Sequence, residues 1–188
     1  MKLARDADRP VQFIFAGKAH PADDEGKRFI QKIVHLSKHS DLRGHLVFIE
    51  NYDIQVGRRM ISGCDVWLNN PRRPFEASGT SGMKTAAHGG LNCSIMDGWW
   101  RESFDGNNGF AIGGDEHPED TEEQDRIDSE NVFRVLAEEV IPLFYERDES
   151  GLPRAWISRM RGAMSSITPQ YNTWRMVQEY AAKYYRAS

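Results

Sequence analysis

The sequence predicts an α/β protein: a doubly wound, mostly parallel, Rossmann-like sheet with helices at its C-terminal end. Three observations predict it. Short apolar runs alternate with segments of helical period, the pattern of repeated strand–helix units. The runs are continuously apolar rather than alternating, as in strands buried on both faces. Each run also opens into a polar or small-residue segment, and in such sheets ligands gather at the carboxyl ends of the strands.

Val11 to Phe15 reads as the first strand, and Gly17 to Asp23 as a loop and helix start. Phe29, Ile30, Ile33 and Val34 recur at helical spacing, so a helix is expected over about Asp23 to Lys38. His45 to Ile49 is the second strand, Ile54 to Ile61 a short helix, and Asp65 to Leu68 the third strand. Asn69 to Pro74 is a loop, because its asparagines and prolines break regular structure. Asn92 to Met96 is the fourth strand and Phe110 to Ile112 a short fifth. Right-handed crossovers are expected between parallel neighbours. Asp115 to Glu130 holds nine acids and one arginine, and charge blocks of this kind read as solvated surface loops. Helices are expected over about Asn131–Arg147, Arg154–Ser166 and Asn172–Tyr185, punctuated by Pro153 and Pro169. The whole chain, 1–188, reads as one domain. Residues 1–10 form a flexible lead, 114–130 an acidic loop and 131–188 a helical part.

The 188 residues are long enough for a real core. A net charge of −4 gives no reason to expect nucleic acid or an anionic membrane as partner. The two cysteines do not make a disulfide framework, which suits a reducing cytoplasm. The charged first ten residues do not read as a signal peptide. No apolar run approaches the roughly 20 residues of a membrane span. The histidines lack metal-ligand spacing with any cysteine or acid, so no metal is expected.

The chemistry concentrates in Glu76-Ala-Ser-Gly-Thr-Ser-Gly-Met-Lys84. Two glycines, two serines and a threonine lie between an acid and a lysine. Good helix formers follow from Met83 to Ala87, and Gly89-Gly90 stops them. The stretch should therefore be a small-residue loop entering a helix N-terminus, whose free N–H groups and dipole suit a phosphate. Lys84 is expected in the first turn, beside that anion. The Gly-Lys-[ST] ending of a Walker loop is absent, and so is GxGxxG. A capped helix with a solvent-facing lysine accounts for the bare pattern equally well.

Over a longer span, Glu76 to Glu102 (EASGTSGMKTAAHGGLNCSIMDGWWRE) closely resembles the pyridoxal-phosphate loop of the α-glucan phosphorylases, in their shorter bacterial and archaeal branch. Phe15 to Asp23, Val47 to Tyr52, and Arg175 to Tyr180 with Tyr184-Tyr185 resemble the same branch. The resemblance covers about Val11 to Tyr185. It implies the C-terminal domain of a GT-B type glycosyltransferase that carries pyridoxal 5'-phosphate. It also implies reversible transfer of a terminal glucosyl unit from an α-1,4-glucan to orthophosphate, giving α-D-glucose 1-phosphate with retention.

By position, the resemblance makes Lys84 the Schiff-base tether. Gly79, Thr80, Ser81 and Gly82 become the cofactor-phosphate cradle, and Tyr52 a ring lying against the cofactor. Glu76, Ser78 and Gly79 become the groups that bind glucosyl hydroxyls, for which carboxylates are strong acceptors. Lysine reacts with an aldehyde only as the neutral amine, a form promoted by burial or nearby positive charge. Ser81-Gly82 stands where the animal and plant enzymes have Gly-Asn. Asp53 stands where they often have arginine, which weighs against a phosphate contact there. His88, one turn past Lys84, reads as structural rather than acid/base, and His20 takes no role. The resemblance further implies a missing N-terminal domain that grips the substrate phosphate, a chain inactive alone, and a homo-oligomer when intact. The alternatives are a retaining nucleotide-sugar glycosyltransferase and a non-catalytic anion-binding module. The former class carries a second glutamate eight residues after the first, where this chain has Lys84.

Overall fold

Strand and helix alternate from Phe13 to Ile112 in a computed structural model, which describes Leu3 and residues 6–76, 78–114, 118 and 120–185. The chain divides into two compact units, Met1–Met60 and Ile61–Ser188.

In the first unit, β1 (Phe13–Ala16) pairs in parallel with β2 (Leu46–Ile49), with Phe13 opposite Leu46 and Ala16 opposite Ile49. The helix α1 (Asp24–Ser37) connects them, its start fixed by the Asp23 carboxylate, which accepts from the Gly26 amide at 2.8 Å. α2 (Ile54–Gly63) begins in the same way, with Asp53 accepting from Val56 N–H at 2.8 Å. Of the expected lead, Met1, Lys2, Ala4 and Arg5 lie outside the described residues, while Arg9 pairs with Asp6 at 3.0 Å.

In the second unit, β3 (Val66–Asn69), β4 (Leu91–Ile95) and β5 (Gly109–Ile112) form a parallel sheet in that order. The fold class is therefore as the sequence predicts, with the five strands distributed over two parallel sheets. β4 is central, and all five of its residues are buried. Its polar members are satisfied. Asn92 Nδ2 donates to the Gly82 carbonyl at 3.0 Å, and Ser94 Oγ accepts from Asn69 Nδ2 at 3.3 Å. Between β3 and β4 runs α3 (Thr80–Ala87), and after β4 comes α4 (Gly98–Ser103). Trp100, Phe110, Ile112, Val135 and Ile167 complete the core.

The acidic segment departs from the expected loop. α5 (Thr121–Val135) is a helix, with Asp120 as N-cap and Glu122 and Glu123 in the first turn. Acids there complement the positive end of the helix dipole. Arg126, one turn in, pairs with both Glu123 (2.7 Å) and Glu130 (2.8 Å), which offsets the like-charge crowding that favoured a loop. Asp115, Glu116, His117 and Glu119 lie outside the described residues.

α5 continues through a π-helical turn, Leu136–Val140, into α6 (Ile141–Tyr145). Pro142, which lacks an N–H, follows directly on the π-helical turn as the second residue of α6. α7 (Arg154–Gln170) runs through Pro169 instead of ending at Ser166. Ile167 is fully buried and Tyr171 packs on a tryptophan, so tertiary contact outweighs the one hydrogen bond that proline removes. Asn172 closes the end, its Nδ2 donating to the Thr168 (3.0 Å) and Pro169 (2.8 Å) carbonyls. It also caps the next helix, α8 (Thr173–Tyr180), which ends in a second π turn, Ala181–Tyr185.

Candidate functional site

Glu76 to Lys84 lies between β3 and β4, at the carboxyl end of β3, where an open parallel sheet places its ligands. Gly79 is the N-cap of α3 and adopts a left-handed backbone, φ 50°. That conformation favours glycine. It lets Thr80, Ser81 and Gly82 wind directly into the helix. Lys84 therefore stands in the last turn of α3, not the first, because the helix starts three residues before the expected Met83. Its Nζ lies 3.4 Å from Thr80 Oγ1, one turn back, and the side chain is exposed.

Tight packing sets the two glycines. A Cβ on Gly79 would fall 2.6 Å from Glu76 Oε1 and 2.7 Å from the Trp99 indole. One on Gly82 would overlap Asn92 Oδ1 and lie 2.9 Å from the same indole. Trp99 thus forms a floor beneath both, only 5% exposed. Its ring meets Trp100 edge-on at 5.2 Å and Tyr171 at 5.2 Å. Trp100 is in turn fixed by its Nε1, which donates to the Phe110 carbonyl at 3.2 Å. Asp97 caps α4 by accepting from Gly98 N–H at 2.9 Å, and its other oxygen accepts from the Glu76 amide at 3.0 Å.

The predicted site residues fall as follows. Glu76 (half-buried), Ser78 (exposed), Gly79, Thr80, Ser81 and Lys84 share one loop and helix start, and Ala77 between them lies outside the described residues. The first amides of a helix lack intrahelical acceptors, so Gly79 to Ser81 can present N–H groups to an anion. The Gly82 amide instead donates to the Gly79 carbonyl at 3.2 Å, closing the turn. Tyr52 belongs to the first unit, where its hydroxyl end packs over Gly57 of α2. Asp53 is occupied as the α2 cap. His88 is the exposed C-cap of α3, and the His20 ring accepts from the Ala22 amide at 3.1 Å.

Sequence reasoning places Asp97 and Trp99 in a segment, Asp97–Glu102, that follows a strand, without this supporting role, and it misses Asn92 and Tyr171. Asp97 alone left a local signal, an N-cap acid before Gly-Trp-Trp-Arg-Glu. The donor set offered here comprises amides, the Thr80 hydroxyl and a primary amine. Chemically, such a set suits an anion such as a phosphate, with a primary amine beside it. Among the described residues there is no group of three or more His, Cys, Asp or Glu that could hold a metal ion, and no helix long and apolar enough to cross a membrane.

The carbohydrate phosphorylase family profile matches residues 2–138. Over 184 residues, 98% of this chain, the sequence is 50% identical to a glycogen phosphorylase of Aquifex aeolicus, of which it covers 26%. It is 46% identical over the same span to a glycogen phosphorylase of Mycobacterium tuberculosis (21% of that protein). It is 44% identical to a maltodextrin phosphorylase of Thermococcus litoralis (22% of that protein). The chain thus spans about a quarter of the length of these curated relatives.

Proposed function

Since the chain belongs to the carbohydrate phosphorylase family, we propose that its 188 residues are the cofactor-binding part of a larger α-glucan phosphorylase. That enzyme moves a terminal glucosyl unit between an α-1,4-glucan and orthophosphate, with glucose 1-phosphate as product and retention at the anomeric carbon. The observation that carries the reading is Lys84. It stands one turn inside α3, beside Thr80 Oγ1, eight residues after Glu76. A carboxylate at that point would suit a nucleotide ribose, whereas an amine suits an aldehyde.

Pyridoxal phosphate, when bound, supplies a phosphate that exchanges protons with the substrate phosphate. The residues of this chain do the holding. Lys84 tethers the aldehyde through its neutral amine. Gly79, Thr80 and Ser81 present amides and hydroxyls to the phosphate, and Gly82 closes the turn that aims them. Glu76 and Ser78, with the Gly79 backbone, take glucosyl hydroxyls, the carboxylate acting as a charge-assisted acceptor. Tyr52, in the first unit, is assigned to the cofactor ring by the sequence resemblance alone. A cytoplasmic location goes with this reading and with the free thiols of Cys64 and Cys93.

The test is to add pyridoxal phosphate to the chain, reduce with borohydride and map the peptides. A pyridoxyl group on Lys84, absent from Lys84→Ala, is the expected result. Labelling spread over surface lysines with Lys84 unmodified would overturn the assignment.

A further inference from the structure

The acidic segment is joined to the loop that leads into the candidate site. Arg73 is buried, its side chain 1% exposed, and Nη2 donates to Asp128 Oδ1 of α5 at 2.7 Å. Arg73 Nη1 donates to the Gly114 carbonyl at 2.6 Å, and the Arg73 carbonyl accepts from Gln124 Nε2 at 3.4 Å. One residue earlier, Arg72 makes a two-pronged bond to Asp125, with Nε to Oδ1 at 2.9 Å and Nη2 to Oδ2 at 2.6 Å. Gln124, Asp125 and Asp128 lie within one turn of α5, and together they hold Arg72 and Arg73 in both backbone and side chain. Three residues beyond Arg73, the Glu76 amide is held by Asp97. The approach to the sugar- and phosphate-binding stretch is therefore fixed at both ends.

We propose that Asp128 is a positioning residue. Through Arg73 it sets the path of residues 73–76, and with it the Glu76 carboxylate that lies against Gly79. The toward-cofactor part of this inference rests on the phosphorylase reading. The physical reason is the character of a buried ion pair. Its net contribution to stability is small, because desolvation of both charges opposes their attraction, yet removing one partner strands the other in a low-dielectric site. A pair so placed determines which conformation is allowed more than how stable the fold is. Arg73 Nε has no hydrogen-bond partner among the described residues, so the guanidinium is held chiefly by Asp128 and the Gly114 carbonyl. The half-exposed Arg72–Asp125 pair, 46% and 48% accessible, is screened by solvent and serves as the comparison.

The experiment compares Asp128→Asn, Asp125→Asn and the double variant Arg73→Met/Asp128→Leu with the unaltered chain. The double variant replaces the pair by apolar groups and keeps the fold available should the single change fail to fold. Backbone amide exchange over residues 72–82 and the dissociation constant for pyridoxal phosphate are both read, with far-UV circular dichroism as the check on folding. Asp128→Asn and the double variant should speed exchange over 72–82 about tenfold and weaken cofactor binding by a similar factor, the scale of one lost charge-assisted contact. Exchange over Leu91–Ile95 should stay unchanged, and Asp125→Asn should shift either reading less than about threefold. Unchanged exchange over 72–82 in folded variants would overturn the proposal. So would faster exchange with unaltered cofactor affinity. If the unaltered chain takes no cofactor on Lys84, the phosphorylase reading fails, while the exchange data still judge whether Asp128 positions the loop.

Discussion

The carboxylate of Asp97 accepts from the backbone amide of Glu76 at 3.0 Å, 21 residues away, while capping its own helix through the Gly98 amide. One side chain thus ties the start of α4 to the start of the candidate site. Asp97→Ala removes both bonds together. The lost cap and the stranded Glu76 donor should cost about 2 kcal/mol in denaturant unfolding. Asp97→Asn keeps one acceptor oxygen and should lose about half as much. Equal losses in the two variants would mean that only one of the bonds contributes.

Gly79 is the second point of control. Gly79→Ala places a methyl against Glu76 and Trp99 in a left-handed backbone, at about 1–2 kcal/mol for the backbone alone. Trp99 emission should shift as the indole is displaced, and pyridoxal phosphate should fail to label Lys84. A Gly44→Ala change, also at positive φ but with no atom within 4 Å of the added carbon, isolates the backbone cost. It should leave the labelling unaffected.

The thiols give a pH signature. Burial, with Glu139 adding to it, pushes the Cys93 thiol up to about 12, and burial also raises Cys64. An ordinary thiol ionises near 8.5, so an unfolded chain releases the Cys93 proton well before the folded one. The folded state is therefore favoured by this group below pH ~8.5, and the benefit is lost as pH rises toward 12, at up to about 1.4 kcal/mol per pH unit. Cys93→Ala should flatten the alkaline limb of a stability-versus-pH curve. At pH 8, iodoacetamide should modify Cys64 before Cys93, and Cys93 only upon unfolding.

The last helix carries large apolar groups into solvent: Trp174 is 73% exposed, Val177 58% and Tyr184 73%. A stripe of this kind binds hydrophobic dyes and promotes association. The chain should enhance the fluorescence of an anilinonaphthalene dye and sediment faster as concentration rises. Trp174→Ser with Tyr184→Ser should reduce both effects while leaving the unfolding midpoint within about 0.5 kcal/mol, as for surface changes. A double variant that sediments like the unaltered chain would place the association elsewhere.

Much of the architecture was legible because its signals are local. Continuous apolar runs gave all five strands to within two residues, and Asp23, Asp53 and Asn172 stand where their caps begin helices. The short helix after Asp97 was not read, although its capping acid is visible. Composition alone points to a loop over the acidic segment because it reports charge and not pairing. The Asp120 cap, and the placement of Glu123 and Glu130 three residues before and four after Arg126, let that sequence form a helix. The end of α7 was placed early because Pro169 is a local breaker, whereas Ile167 and Tyr171 are held by residues far away in sequence.

By itself the sequence determined the alternation of strand and helix, the carboxyl-end position of the Glu76–Lys84 stretch and its phosphorylase kinship. These follow from hydrophobic period, turn chemistry and residue identity over short spans. Tertiary structure alone decided why that stretch is shaped as it is. Gly79 and Gly82 are small because Trp99 lies against both, and Trp99 is held by Tyr171, seventy-two residues on. Glu76 is fixed by Asp97, and Arg73 by Asp128, 55 residues away. Close packing and buried charge pairs join residues without regard to their distance along the chain, so no local pattern announces them.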